Sequence, residues 1–175
     1  MNTFFKTIRS NRGYTLLFAV ITAAIVLGAA IFILSITRKQ YLLSSSARNS
    51  MYSFYAADAA LECTAYNYNH GTFSTTTSGT IQCDGATINV IPSDFVSGNV
   101  SGFSTTIPTY TMSNKQFTFT NAGECALVTV SIGWTTDNLY QKTTIDSRGY
   151  NLGSASECPS SNPLTVERAL RLTYQ

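Results

Sequence analysis

Residues 14–37, YTLLFAVITAAIVLGAAIFILSIT, contain no Asp, Glu, Lys or Arg and are bracketed by Arg12 and Arg38. As a helix rising about 1.5 Å per residue, the run reaches about 36 Å, enough to cross a hydrocarbon core of about 30 Å. Almost everything polar lies on its C-terminal side. The chain therefore has to be a hydrophobic rod followed by a small polar domain.

That domain has about 135 residues, one ordinary folding unit. It is rich in Ser and Thr, poor in charge and well supplied with Tyr and Phe, a mix that suits β-structure with a hydroxyl-covered surface. The net charge of +2 is deceptive, because Lys6, Arg9 and Arg12 precede the run. Removing residues 1–13 takes away three of the eleven basic residues and leaves eight against nine acids, a net of −1. No basic surface for nucleic acid follows from that balance.

The four cysteines, Cys63, Cys83, Cys125 and Cys158, form no CxxC pair, and His70 is the only histidine. Two disulfides in an exported domain fit this spacing better than a zinc site. Four cysteines allow three connectivities.

The leader, residues 1–13, is short, basic and free of acids. Positive charge on this side predicts a cytoplasmic N-terminus. A secretory signal is cut after its apolar run, behind small residues, and SITRKQYLL lacks that pattern. The small residue stands before the run, as Gly13 in Arg12-Gly13-Tyr14-Thr15-Leu16-Leu17.

This arrangement resembles the class III signal of type IV pilins and pseudopilins. The resemblance implies cleavage between Gly13 and Tyr14 by a membrane prepilin peptidase, with N-methylation of Tyr14. It further implies that the rod is retained, first as anchor in the inner membrane and then as filament core of an extracellular pilus. The partners implied are the peptidase, the assembly platform and other pilin subunits. One position departs from the family: the fifth mature residue, usually Glu, is Phe18. That glutamate is thought to neutralise the terminal ammonium of a neighbouring subunit, so its loss points to a minor or tip subunit rather than a bulk one.

Beyond Lys39 there is no Gly or Pro until Gly71. Ala47, Met51, Phe54, Tyr55, Ala59, Cys63 and Tyr66 recur at three- and four-residue steps and predict one apolar helix face packed on a sheet. A single helix over residues 14–66 is expected, membrane-spanning over 14–37 and amphipathic over 38–66. Gly28 marks either a bend or a small-residue helix contact. Residues 47–63 resemble the segment after the membrane helix of PilX-type minor pilins. Asp58 and Glu62, four apart, share a helix face, and Arg168 on the last strand is the expected counter-charge.

After Tyr68 the period changes from 3.6 to 2. Residues 80–83 and 86–91 flank Asp84-Gly85, a hairpin signal. Residues 92–114 read as a long loop holding at most a short strand. Strands are expected at 115–121, 124–134, 141–150 and 165–174. Four to six antiparallel strands on one helix make an α+β head over 67–175. In that order the local pairing, Cys63–Cys83 and Cys125–Cys158, is preferred. Each bridge would contribute about 3–4 kcal/mol in the entropic model.

No nucleophile elbow, phosphate loop or calcium loop is present, and His70 has no nucleophile near it in sequence. Neither an enzyme nor a cofactor is expected. Exposed Tyr and Thr in the 92–114 and 150–163 loops suit adhesion, and Asn99-Val100-Ser101 matches a glycosylation sequon. The expectation is thus a minor type IV pilin. An uncleaved, signal-anchored surface binding domain and the tip pseudopilin of a secretion apparatus are the alternatives.

Overall fold

The computed structural model describes residues 12–71, 75–84, 86–119, 123–154 and 156–175. Its single long helix, α1 (Arg12–Asn69), runs without interruption through Gly28, where an added Cβ would meet nothing within 4 Å. It ends where Gly71, at φ +73°, takes the left-handed conformation that glycine adopts without steric cost. The Gly71 N–H donates to the Tyr68 carbonyl at 3.0 Å. The chain divides into two compact units, Met1–Ser45 and Ser46–Gln175.

In the second unit the described residues form seven strands. The hairpin of β1 (Gly79–Cys83) and β2 (Ala86–Val90) is a sheet of its own. Asp84 turns it at φ 45°, and Gly85 lies outside the described residues. The five-stranded antiparallel sheet has the order β3 (Phe95–Gly98), β4 (Thr109–Thr118), β5 (Cys125–Trp134), β6 (Gln141–Tyr150), β7 (Glu167–Tyr174). The C-terminal part of α1 packs on this sheet, so the fold class is α+β.

Seven strands are one more than the most expected: β3 is the short strand allowed for within residues 92–114, and the strand expected at 115–121 begins six residues earlier, as β4. Alternation is lost there because β4 carries a bulge between Met112 and Lys115, with Asn114 at φ 53°. Met112 and Phe117 are both buried although five residues apart, an odd spacing that a regular strand sends to opposite faces. The core joins both sheets to the helix: Ile81, Ile88 and Val90 from the hairpin, Met112, Phe117, Val128, Val130 and Ile145 from the large sheet, and Ala60 and Ala65 from α1.

The cysteines pair as Cys63–Cys83 and Cys125–Cys158, each with Cα atoms 6.0 Å apart. The first ties α1 to β1. The second bounds the loop before β7, and Gly153 of that loop lies so near Cys125 that a Cβ would fall 2.1 Å from its Sγ.

Helix and sheet meet at backbone distance. A Cβ on Gly149 of β6 would lie 2.1 Å from the Ser53 carbonyl oxygen and 2.3 Å from the Ala57 nitrogen. One residue pair away, the Ser147 hydroxyl donates to the Ala57 carbonyl at 2.7 Å, a buried cross-link between a helix and a strand. Gly149→Ala should therefore destabilise the head by about 3 kcal/mol, since neither colliding atom belongs to a movable side chain. Gly98→Ala, in open space, should stay within about 0.5 kcal/mol. Thermal unfolding followed by circular dichroism measures both.

Asp94 closes the 3-10 turn by accepting from the Ile91 N–H at 3.0 Å, and it pairs with Lys115 at 2.6 Å. Burial alone would raise its carboxyl. The Lys115 and Ile91 hydrogen bonds outweigh that, and the carboxyl is held below its ordinary value. A depressed acid stabilises the fold above its unfolded value of about 3.9, and this contribution is lost as pH falls through the lower folded value. Asp94→Asn should cost about 1 kcal/mol at pH 7. The gap from the parent should narrow as unfolding is measured at progressively lower pH below 4.

Candidate functional site

In the first unit, the side chains of residues 14–37 are exposed all round α1, Thr22 alone being half-buried. Among the exposed ones are Leu16, Leu17, Phe18, Ile25, Phe32 and Leu34. Two of the run's hydroxyls bond within the helix: Thr22 donates to the Phe18 carbonyl at 3.0 Å and Thr37 to the Ile33 carbonyl at 2.9 Å. This is the condition lipid imposes on any hydroxyl. The helix is long and apolar enough to span a membrane. Gly13 and Tyr14 stand in its first turn, while Lys6 and Arg9 lie outside the described residues.

In the second unit the helix turns the other way from expectation. Met51, Phe54, Tyr55 and Tyr66, read as the sheet-facing stripe, are 55%, 43%, 56% and 63% exposed. Ala47 and Ala59 are also exposed, and only Cys63 of that set is half-buried. The buried face is Ser53, Ala56, Ala57, Ala60, Thr64 and Ala65. The reason is steric. With the β6 backbone against Ser53 and Ala57, an aromatic ring has no room between helix and sheet, so the small residues go inward. The hydroxyls on that face are bonded, Thr64 to the Ala60 carbonyl at 2.7 Å and Ser53 to that of Ser50 at 3.0 Å.

The outward stripe is consequently aromatic and carries charge along its middle. Arg48, Met51, Tyr55, Asp58, Glu62 and Tyr66 follow at three- or four-residue steps, so they share one face. The Arg48 guanidinium stacks 5.5 Å from the Tyr52 ring, Phe54 and Tyr55 pack edge to face, and His70 stacks on Tyr66 at 4.0 Å. His70 is exposed and its Nδ1 lies 2.8 Å from the Tyr66 carbonyl.

Arg168 does not meet Asp58 or Glu62. It lies on the β7 face that looks at α1, as expected, but its Nε donates to the Ser50 hydroxyl at 2.7 Å. Ser50 is eight residues, about 12 Å along the helix, before Asp58. Tyr174, six residues further along β7, stacks with Tyr68 at 6.0 Å. The strand thus runs alongside the helix, and the level of Asp58 and Glu62 falls beyond Arg168. Glu62 is exposed and Asp58 half-buried. Among the described residues the ion pairs are Asp94–Lys115 and Asp146–Arg171.

The outer face of the large sheet is polar. Thr129, Asp146, Arg148 and Arg171 line a recess of about 420 Å³. A smaller one beside it includes Lys142, Thr144 and Thr173 and is walled by Ser101 and Phe103 of the loop before β4. Lys142 donates to the Gly102 carbonyl at 2.9 Å and caps the Phe103 ring.

No protein-family model, curated protein or solved structure matches the chain.

Sequence reasoning missed Arg48 as a stripe residue and took the larger apolar stripe for the core. The signal was available in the second periodic set, Ser53, Ala57, Ala60 and Thr64, and in Gly149 inside a strand, a mark of close backbone approach. Ala60→Leu should cost about 2–3 kcal/mol by overpacking, whereas Met51→Ser and Tyr55→Ser should each stay within about 0.5 kcal/mol. Thermal melts of the three variants decide which face is core.

Proposed function

We propose that this chain is a minor type IV pilin or a close pseudopilin relative, a structural subunit cut after Gly13 and carried into a surface filament by its helix. The observation that carries the reading is the uncovered apolar surface of α1. Residues 14–37 are apolar all round, and the stripe from Met51 to Tyr66 stays exposed although a sheet lies against the opposite face. Scattered exposed apolar residues are ordinary, but aromatic rings gathered along one helix face mark a contact surface. A helix that only anchored a head to lipid would have no use for aromatic rings beyond the membrane. Packed against sibling helices, both portions find cover.

In this reading the N-terminus faces the cytoplasm, the head lies outside, and the polar outer sheet face with its two loops forms the solvent side. The signal-anchored binding domain remains the second reading, favoured by the recess around Asp146 and Arg171.

Mass spectrometry of the protein from cells with an active prepilin peptidase separates them. The pilin reading expects a mature chain beginning at Tyr14, with or without an N-methyl group, and its presence in the sheared filament fraction. An intact Met1 start, with the chain confined to membranes, would sink it.

A further inference from the structure

The stripe holds an ordered set of charges. Arg48 is its one cation, and the next basic residue in the chain is Lys115. Asp58 and Glu62 lie 10 and 14 residues further on, about 15 and 21 Å along the helix. Within one chain Arg48 is therefore too far from either acid to pair with it. Met51, Phe54 and Tyr55 fill the interval and Tyr66 follows it, all exposed.

We infer that this surface docks a second copy of the same chain, parallel and displaced by 10–14 residues, so that Arg48 of one copy enters between Asp58 and Glu62 of the next. Three arrangements of two such stripes compete. Antiparallel contact is closed to copies inserted in one membrane with one topology. Parallel contact in register sets Asp58 and Glu62 against the same two acids and Arg48 against Arg48, which like charges oppose. The displaced parallel contact turns both repulsions into one attraction. The same displacement brings Tyr55 of the first copy to Tyr66 of the second, so charge and apolar contact select one register. The contact belongs to the assembled state, where copies no longer sit level in one bilayer. In that respect it rests on the filament reading above.

The test uses full-length Arg48→Lys protein in sheared filaments, treated with a zero-length carbodiimide that joins an amine to a carboxylate in direct contact. Expected is a dimer of this chain whose digest holds an amide between position 48 and Asp58 or Glu62. Its yield should fall at least tenfold when Asp58→Asn and Glu62→Gln are added. Arg48→Glu should cut incorporation into filaments at least tenfold, and Arg48→Glu with Asp58→Lys and Glu62→Lys should restore most of it. Chain present in filaments without this link, or a link from position 48 to a different protein, overturns the register and leaves the filament reading standing. Parent protein absent from filaments overturns both.

Discussion

The backbone contact between Gly149 and the helix at Ser53 and Ala57 governs how the head is built. A helix and a sheet normally keep a layer of side chains between them. Here that layer is thinned to hydrogen, methyl and hydroxyl groups, and Ser147 reaches the Ala57 carbonyl directly. Close approach of this kind excludes large residues from the interface. The bulk of the core must then come from where the helix and sheet diverge, and there Ile81 and Val90 of the hairpin fill the space with Phe117 and Met112. The Cys63–Cys83 bridge holds the hairpin to the helix at that point.

The same contact decides which helix side chains are left over. Hydrophobic periodicity finds the stripe with the greatest apolar surface and assigns it to the core, because burial of apolar area usually dominates. On α1 two stripes compete, one large and aromatic, the other small. The backbone distance set by a glycine some ninety residues away selects the small one. No local rule over residues 47–66 contains that information, and the aromatic set is exposed as a result.

What the sequence makes legible follows the same division between local and distant causes. The change from helical to strand period, the glycine that stops α1, the strand β6 and the α+β class are local, and they read correctly from residue type. Strand β4 reads only in its second half, since its bulge at Asn114 shifts the alternation midway and leaves residues 109–114 looking like loop. Arg168 shows the boundary within one residue. Its face on β7 is a matter of parity and can be read. Its level along the helix depends on how a strand of about 3.3 Å per residue runs beside a helix of 1.5 Å, with an origin that only the three-dimensional packing sets.

On the filament reading proposed above, Phe18 and the stripe acids bear on one physical problem, where a subunit can hold the charge that aligns it. A carboxylate inside the apolar run would cost about 3 kcal/mol while the chain waits in a bilayer. With Phe18 in that place, the run carries no such cost and also offers no neighbour a counter-charge. Asp58 and Glu62 stand outside the run, Glu62 exposed and Asp58 half-buried, where water reaches them before contact. Once a second helix covers the aromatic stripe, water is displaced and the field between Arg48 and the acids strengthens. In that reading an aligning charge placed there is neutral in its effect until a second helix covers it and acts only then.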